Sequence, residues 1–161
     1  MRPWWERPLE QVGLLNPAFL AVLVNEAATG HCKERDAAPP YPLAFLAVPV
    51  VVHEPTRATL PSTVRTSVDT WLQRHPVARV TIPPLAAELV PWVREASRFG
   101  MRRGSLRIDG DRIAAAPLGR RPAGSSTPDL DECRSRAHQV GRWFARAGDP
   151  TTTLALWGLT V

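Results

Sequence analysis

Lysine is nearly missing from these 161 residues: Lys33 is the single one, and the other 19 of the 20 basic residues are arginine. That skew fits phosphate or carboxylate recognition, for which the planar guanidinium fork is suited. It fits the arginine codons of a GC-rich genome equally well, so arginine number alone does not establish a nucleic-acid ligand. Cysteine is scarce too. Cys32 and Cys133 lie far apart and in no CxxC or metal-ligand spacing, which argues against a disulfide framework and for a reducing, cytoplasmic setting. Long apolar runs are lacking: "PLAFLAVPVVV", residues 42–52, falls short of the about 20 residues a membrane helix needs. No membrane association is therefore expected. The N-terminus carries Trp4 and Trp5 but no signal-peptide apolar region.

Catalytic motifs are lacking as well. His31, His53, His75 and His138 are scattered, with no HExxH and no His/Cys pair at metal spacing. "GRRPAG" lacks the Lys-Ser/Thr of a phosphate-binding loop and follows no buried strand. Asp109 with Asp111 reads as a solvated turn rather than a carboxylate pair. These gaps point away from an enzyme, and no cofactor is expected.

What the chain does have is enough to fold. An apolar fraction of 44% and six tryptophans suit one domain with a real core, and seventeen prolines predict short helices with abrupt ends. Residues 1–15 read as an arm, 16–117 as a core, 118–128 as a basic linker, and 129–161 as C-terminal helices that pack on the core. Asn16-Pro17 predicts the first helix, because Asn caps and Pro is pre-set for the first helical position; Gly30 is expected to end it. Residues 43–52 read as a buried helix bent or stopped near Pro49, with a strand as the alternative, and "HEPTRATLP" reads as a loop. Ser62 is expected to cap a third helix that His75-Pro76 stops. A fourth runs from about Pro83 to Arg103 with a kink at Pro91. Thr127-Pro128 and Asp149-Pro150 predict two more by the same cap-and-proline logic.

Between the fourth and fifth helices, "MRRGSLRIDGDRIAA" predicts a β-hairpin. A two-residue Asp109-Gly110 turn would set Arg107 opposite Arg112, an unfavourable like-charge pair. A four-residue turn would instead pair Ile108 with Ile113. In either register Leu106, Ile108 and Ile113 lean on the core.

Charge is distributed unevenly. From Arg94 to Arg121 eight arginines face three acids, a surplus equal to the whole chain's net charge of +5. Helix, hairpin, basic linker is the order in which a winged helix-turn-helix ends. Arg94, Arg98, Arg102 and Arg103 on the helix, with Arg107 and Arg112 in the wing, are the candidate nucleic-acid contacts. A solvated basic face on an ordinary α+β core accounts for the same pattern. Arg142 beside Trp143, and Trp4 with Trp5, are candidate partner contacts, Trp and Arg being typical interface anchors. A Trp143 ring that fills the edge of the core is the other reading.

Four segments in fixed order, "NPAFLAVLVNEA", "VVVHEPTRATLP", "WVREASRFGMRRGSLRID" and "GRWFARAGDPTTTLALWGL", give the chain a resemblance to the middle component of bacterial three-component ABC systems. The resemblance implies a mainly α fold with a β-hairpin, built on a winged helix-turn-helix-like core with added N- and C-terminal helices. It also implies an ABC ATPase partner of the chromosome-maintenance or repair type, a third component, and action against invading DNA. The expected function is a non-catalytic adaptor that bridges the two and contacts double-stranded DNA. A winged-helix transcription regulator, binding a defined operator as a homodimer, is the alternative.

Overall fold

The computed structural model describes residues 15–119 and 127–159. Seven helices and one hairpin follow one another there: α1 (Pro17–Arg35), a 3-10 turn (Tyr41–Leu43), α2 (Ala44–Val52), α3 (Glu54–Thr59), α4 (Val68–Arg74), α5 (Pro76–Arg102), β1 (Leu106–Asp109), β2 (Arg112–Ala115), α6 (Pro128–Arg146) and α7 (Pro150–Leu156). The class is the expected one, mainly helical with a two-stranded antiparallel hairpin. Three helices start by the cap-and-proline rule: Asn16, Thr127 and Asp149 accept from the amides of Ala18, Leu130 and Thr152.

Helix α1 lies at the centre, packed against α6, α5, α2 and β2. Leu20, Leu23, Val24 and Ala27 are buried along it. It does not stop at Gly30. It runs one and a half turns further and ends at Asp36, which takes the left-handed conformation (φ 52°) and donates its amide to the Cys32 carbonyl at 2.7 Å. Gly30 instead marks a helix crossing. A Cβ there would run into the His138 carbonyl of α6, and a Cβ at Gly141 of α6 would run into the Ala27 carbonyl of α1. The two backbones touch through paired glycines.

Three further expectations are corrected. "HEPTRATLP" contains a helix, α3, because His53 acts as its cap: its Nδ1 receives the Thr56 amide at 3.3 Å, and Pro55 sits in the first turn. Ser67 rather than Ser62 caps α4, with Oγ accepting from Thr70 N at 3.1 Å. Helix α5 begins at Pro76, not Pro83, and carries Pro83, Pro84 and Pro91 within it. Each of these prolines removes one backbone hydrogen bond, which the burial of Ala78, Ile82, Leu89 and Val93 offsets. Residues 44–52 are helical, so the strand alternative falls.

The hairpin turn is Gly110-Asp111, since Asp109 pairs with Arg112 and Ile108 with Ile113. Gly110 has φ 60°, the positive value a type II′ turn needs at its first central residue. Arg107 therefore faces Ala114, and no like-charge pair arises. Leu106 and Ile113 are buried as expected, whereas Ile108, two residues before the turn glycine, is 37% exposed. Asn25 of α1 holds the hairpin's base: its Nδ2 donates to the Ser105 carbonyl at 2.7 Å and to the Ala116 carbonyl at 2.8 Å. The outer edge of β2 is occupied too. Ile113 N donates to Pro39 O and Tyr41 N to Asp111 O, and Pro40 bridges Arg112.

Candidate interaction surfaces

Helix α5 turns Ala78, Ile82, Leu89, Val93, Ala96 and Gly100 inward. At about 100° per residue, Arg94, Arg98 and Arg102 then stand on the solvent side, and all three are exposed. Arg103, the last residue before the turn, lies 5.5 Å over the Phe99 ring. On the hairpin, Arg107 and Arg112 share the face opposite Leu106 and Ile113, with Asp109 directly across from Arg112. Arg112 is partly committed, since its Nη1 donates to the Ala38 carbonyl at 2.5 Å. The remaining five form no ion pair among the described residues.

Four arginines elsewhere are matched with acids. Arg134 bonds Glu26, and Arg142 and Arg146 bond Glu34 at 2.7 and 3.0 Å, so α6 is stitched to α1. Arg57 is buried, donates to the Val51 carbonyl at 3.0 Å, and pairs with Asp129 at 2.8 Å near the start of α6. The acids in the first turns of α6 thus have a specific partner besides the helix dipole. Arg65 and Arg74 have no such acid among the described residues, and neither do the arginines of α5 and the hairpin. The candidate arginines Arg94, Arg98, Arg102, Arg103, Arg107 and Arg112 lie consecutively there.

The candidate partner contacts fare differently. Trp143 is in the core, 2% exposed, edge-on to Trp71 with centroids 5.5 Å apart, and its Nε1 donates to the Thr66 carbonyl at 2.6 Å. Its ring is not available to a partner. Arg142 is held by Glu34, so the Arg-Trp pair does not form an anchor on the described surface. Trp4 and Trp5 fall outside the described residues.

Of the two histidines with lowered pKa, His31 is buried and His138 half-buried. His31 bonds the Ala37 carbonyl through Nδ1 at 2.9 Å, and burial pushes its pKa down. Burial lowers that of His138 as well, although Glu26 lies 3.7 Å away. Hydrogen bonds from Arg146 and Arg142 hold the Glu34 carboxyl below its usual range. All three groups bind protons less readily when folded, so the unfolded chain takes up more protons on acidification and stability rises with pH. The histidine contribution is fully present above pH ~6.5 and is lost as pH falls through their lowered folded values; Glu34 adds its loss below about 4.5. Thermal melts from pH 7.5 to 5 should show a falling midpoint, flattened in His31→Gln with His138→Gln. A midpoint unchanged over that range would contradict the burial of His31 and the partial burial of His138.

Among the described residues no group of three or more His, Cys, Asp and Glu could hold a metal ion, and no helix is long and apolar enough to cross a membrane. Sequence reasoning missed Asn25 and Gly141, both of which position the hairpin or the core. Asn25 had a signal, a lone amide inside "FLAVLVNEA" next to buried positions. It also missed the outward surface of the first half of α5, having begun the helix at Pro83.

Fold and surface together define a helical protein with a hairpin flank and a concentrated basic face. The chain belongs to the Middle Component 3 family of the ABC-three component (ABC-3C) systems, whose family model matches residues 4–161. No curated protein and no solved structure matches it.

Proposed function

We propose that the chain is a non-catalytic adaptor that joins the ABC ATPase of its system to the third component and lays its basic face on duplex DNA. Family membership supports partnership with the other proteins of such a system. The observation that carries the DNA contact is the division of charge. Arg57 of α3 and Arg134, Arg142 and Arg146 of α6 are matched by Asp129, Glu26 and Glu34, while the arginines of α5 and the hairpin face solvent. Winged-helix architecture is supported by the order of elements: the long α5 leads through a three-residue turn into the hairpin, and residues 39–41 add a strand-like edge to β2. In that architecture the helix end and wing approach DNA together.

The test is binding between the purified chain and its ATPase, measured by calorimetry, beside a duplex titration over salt. Stoichiometric ATPase binding, with duplex affinity that falls steeply with salt and hardly depends on sequence, is the expected result. A folded ATPase that shows no binding would overturn the adaptor. One tight operator bound by a symmetric dimer would mark a transcription regulator instead.

A further inference from the structure

The solvent side of α5 has two unlike halves. Its C-terminal half carries the arginines already described. Its N-terminal half presents Val77, Val80, Pro84, Ala87 and Pro91, all exposed and spaced three and four residues apart on one side of the helix. Val77 is 74% and Val80 75% exposed, the two most exposed large apolar side chains among the described residues. Arg79 and Glu88 stand to the flanks rather than on this strip. A helix face that meets only water normally carries polar residues. This one is apolar for about 21 Å at 1.5 Å per residue.

We infer that this strip, with Arg94 and Arg98 beyond it, is the docking surface for an amphipathic helix of a partner protein, one apolar along its length and acidic at one end. The charge supplies the match. Arg94 and Arg98 sit one turn apart directly beyond the apolar strip, so a helix lying along Val77 to Pro91 brings its end beside them. Acids on that end make charge-assisted pairs and set the direction of docking. The small and β-branched residues let a second helix approach closely. They carry no Trp, Phe or Leu to anchor in lipid, as an interfacial membrane helix would. DNA gains nothing from an apolar strip, so duplex contact stays with the helix end and hairpin.

The inference rests on the adaptor reading, and one experiment separates the two. The purified ATPase and the purified third component are each titrated with wild type, with Val77→Asp/Val80→Asp, and with Arg94→Glu/Arg98→Glu. Both substitution pairs are at exposed positions, and circular dichroism melts confirm folding. The expected result is a loss of at least about tenfold in affinity for one of the two proteins with each variant, equal to about 1.4 kcal/mol. Duplex affinity of the valine variant should stay unchanged. Wild type that binds neither protein removes the adaptor reading and this one with it. Wild type that binds, with the valine variant binding equally well, overturns the docking surface alone. If the valine variant instead abolishes self-association, or binding to anionic vesicles, while partner affinity holds, the occupant is a second copy or a lipid surface and the inference is wrong.

Discussion

Replacing Gly141 with alanine is expected to lower stability by about 3 kcal/mol, the upper part of the usual cost of overpacking. Two effects of opposite sign compete at this position. Inside a helix, alanine is favoured over glycine by about 1 kcal/mol, so propensity alone predicts a gain. Packing predicts a loss, because the added methyl would overlap the Ala27 carbonyl, a backbone atom that no side-chain rotamer can move aside. Relief requires α1 and α6 to separate, and with them the reciprocal contact of Gly30 on the His138 carbonyl. The three ion-pair groups that bridge these helices through Glu26 and Glu34 would be displaced as well. Since single domains are stable by only about 5–15 kcal/mol, the loss should show as a melting midpoint lower by several degrees. Denaturant unfolding of the variant checks it. A midpoint at or above wild type would mean that the crossing is looser than described.

The second large effect concerns DNA. In Arg102→Ala, Arg103→Ala, Arg107→Ala, Arg112→Ala together, duplex affinity should fall by at least about 100-fold at low salt, and the salt slope should drop by about 1 for each phosphate contact removed. These four positions are exposed, so the cost to folding is small, with Arg112 the exception through its bond to Ala38. Three arginines removed from α6 should behave otherwise. Arg134, Arg142 and Arg146 neutralise Glu26 and Glu34, and their loss should lower stability rather than the salt slope. Fluorescence anisotropy with a labelled duplex separates the two sets. Equal loss of affinity from both would show that net charge, not the α5–hairpin face, governs binding.

The parts legible in the sequence were those governed by local rules. Asn16-Pro17, Thr127-Pro128 and Asp149-Pro150 start helices because cap and proline act within one turn. The hairpin was legible for the same reason, with the Ile108–Ile113 pairing of the longer-turn alternative, though the turn itself is two residues, Gly110-Asp111. Features set by neighbours distant in sequence were not. Gly30 looks the same whether it ends a helix or lets another backbone approach, and only α6 decides between these. The α3 helix has no sequence signature because histidine is not a usual cap. In the sequence Pro83-Pro84 reads as the start of α5, while the burial of Ala78 and Ile82 before them favours an earlier one. Of the candidate site, the arginines could be read from their position in the chain. Their separation from the paired arginines could not, since Glu26, Glu34 and Asp129 reach their partners across helices.

The most direct measurement of the central claim is a three-protein reconstitution followed by size-exclusion chromatography with light scattering. The ATPase and the third component are mixed with and without this chain. An adaptor predicts that the two elute separately alone and as one complex when the chain is added, with Val77→Asp/Val80→Asp breaking one of its two links. Association of the ATPase with the third component that is as complete without the chain as with it would contradict the account.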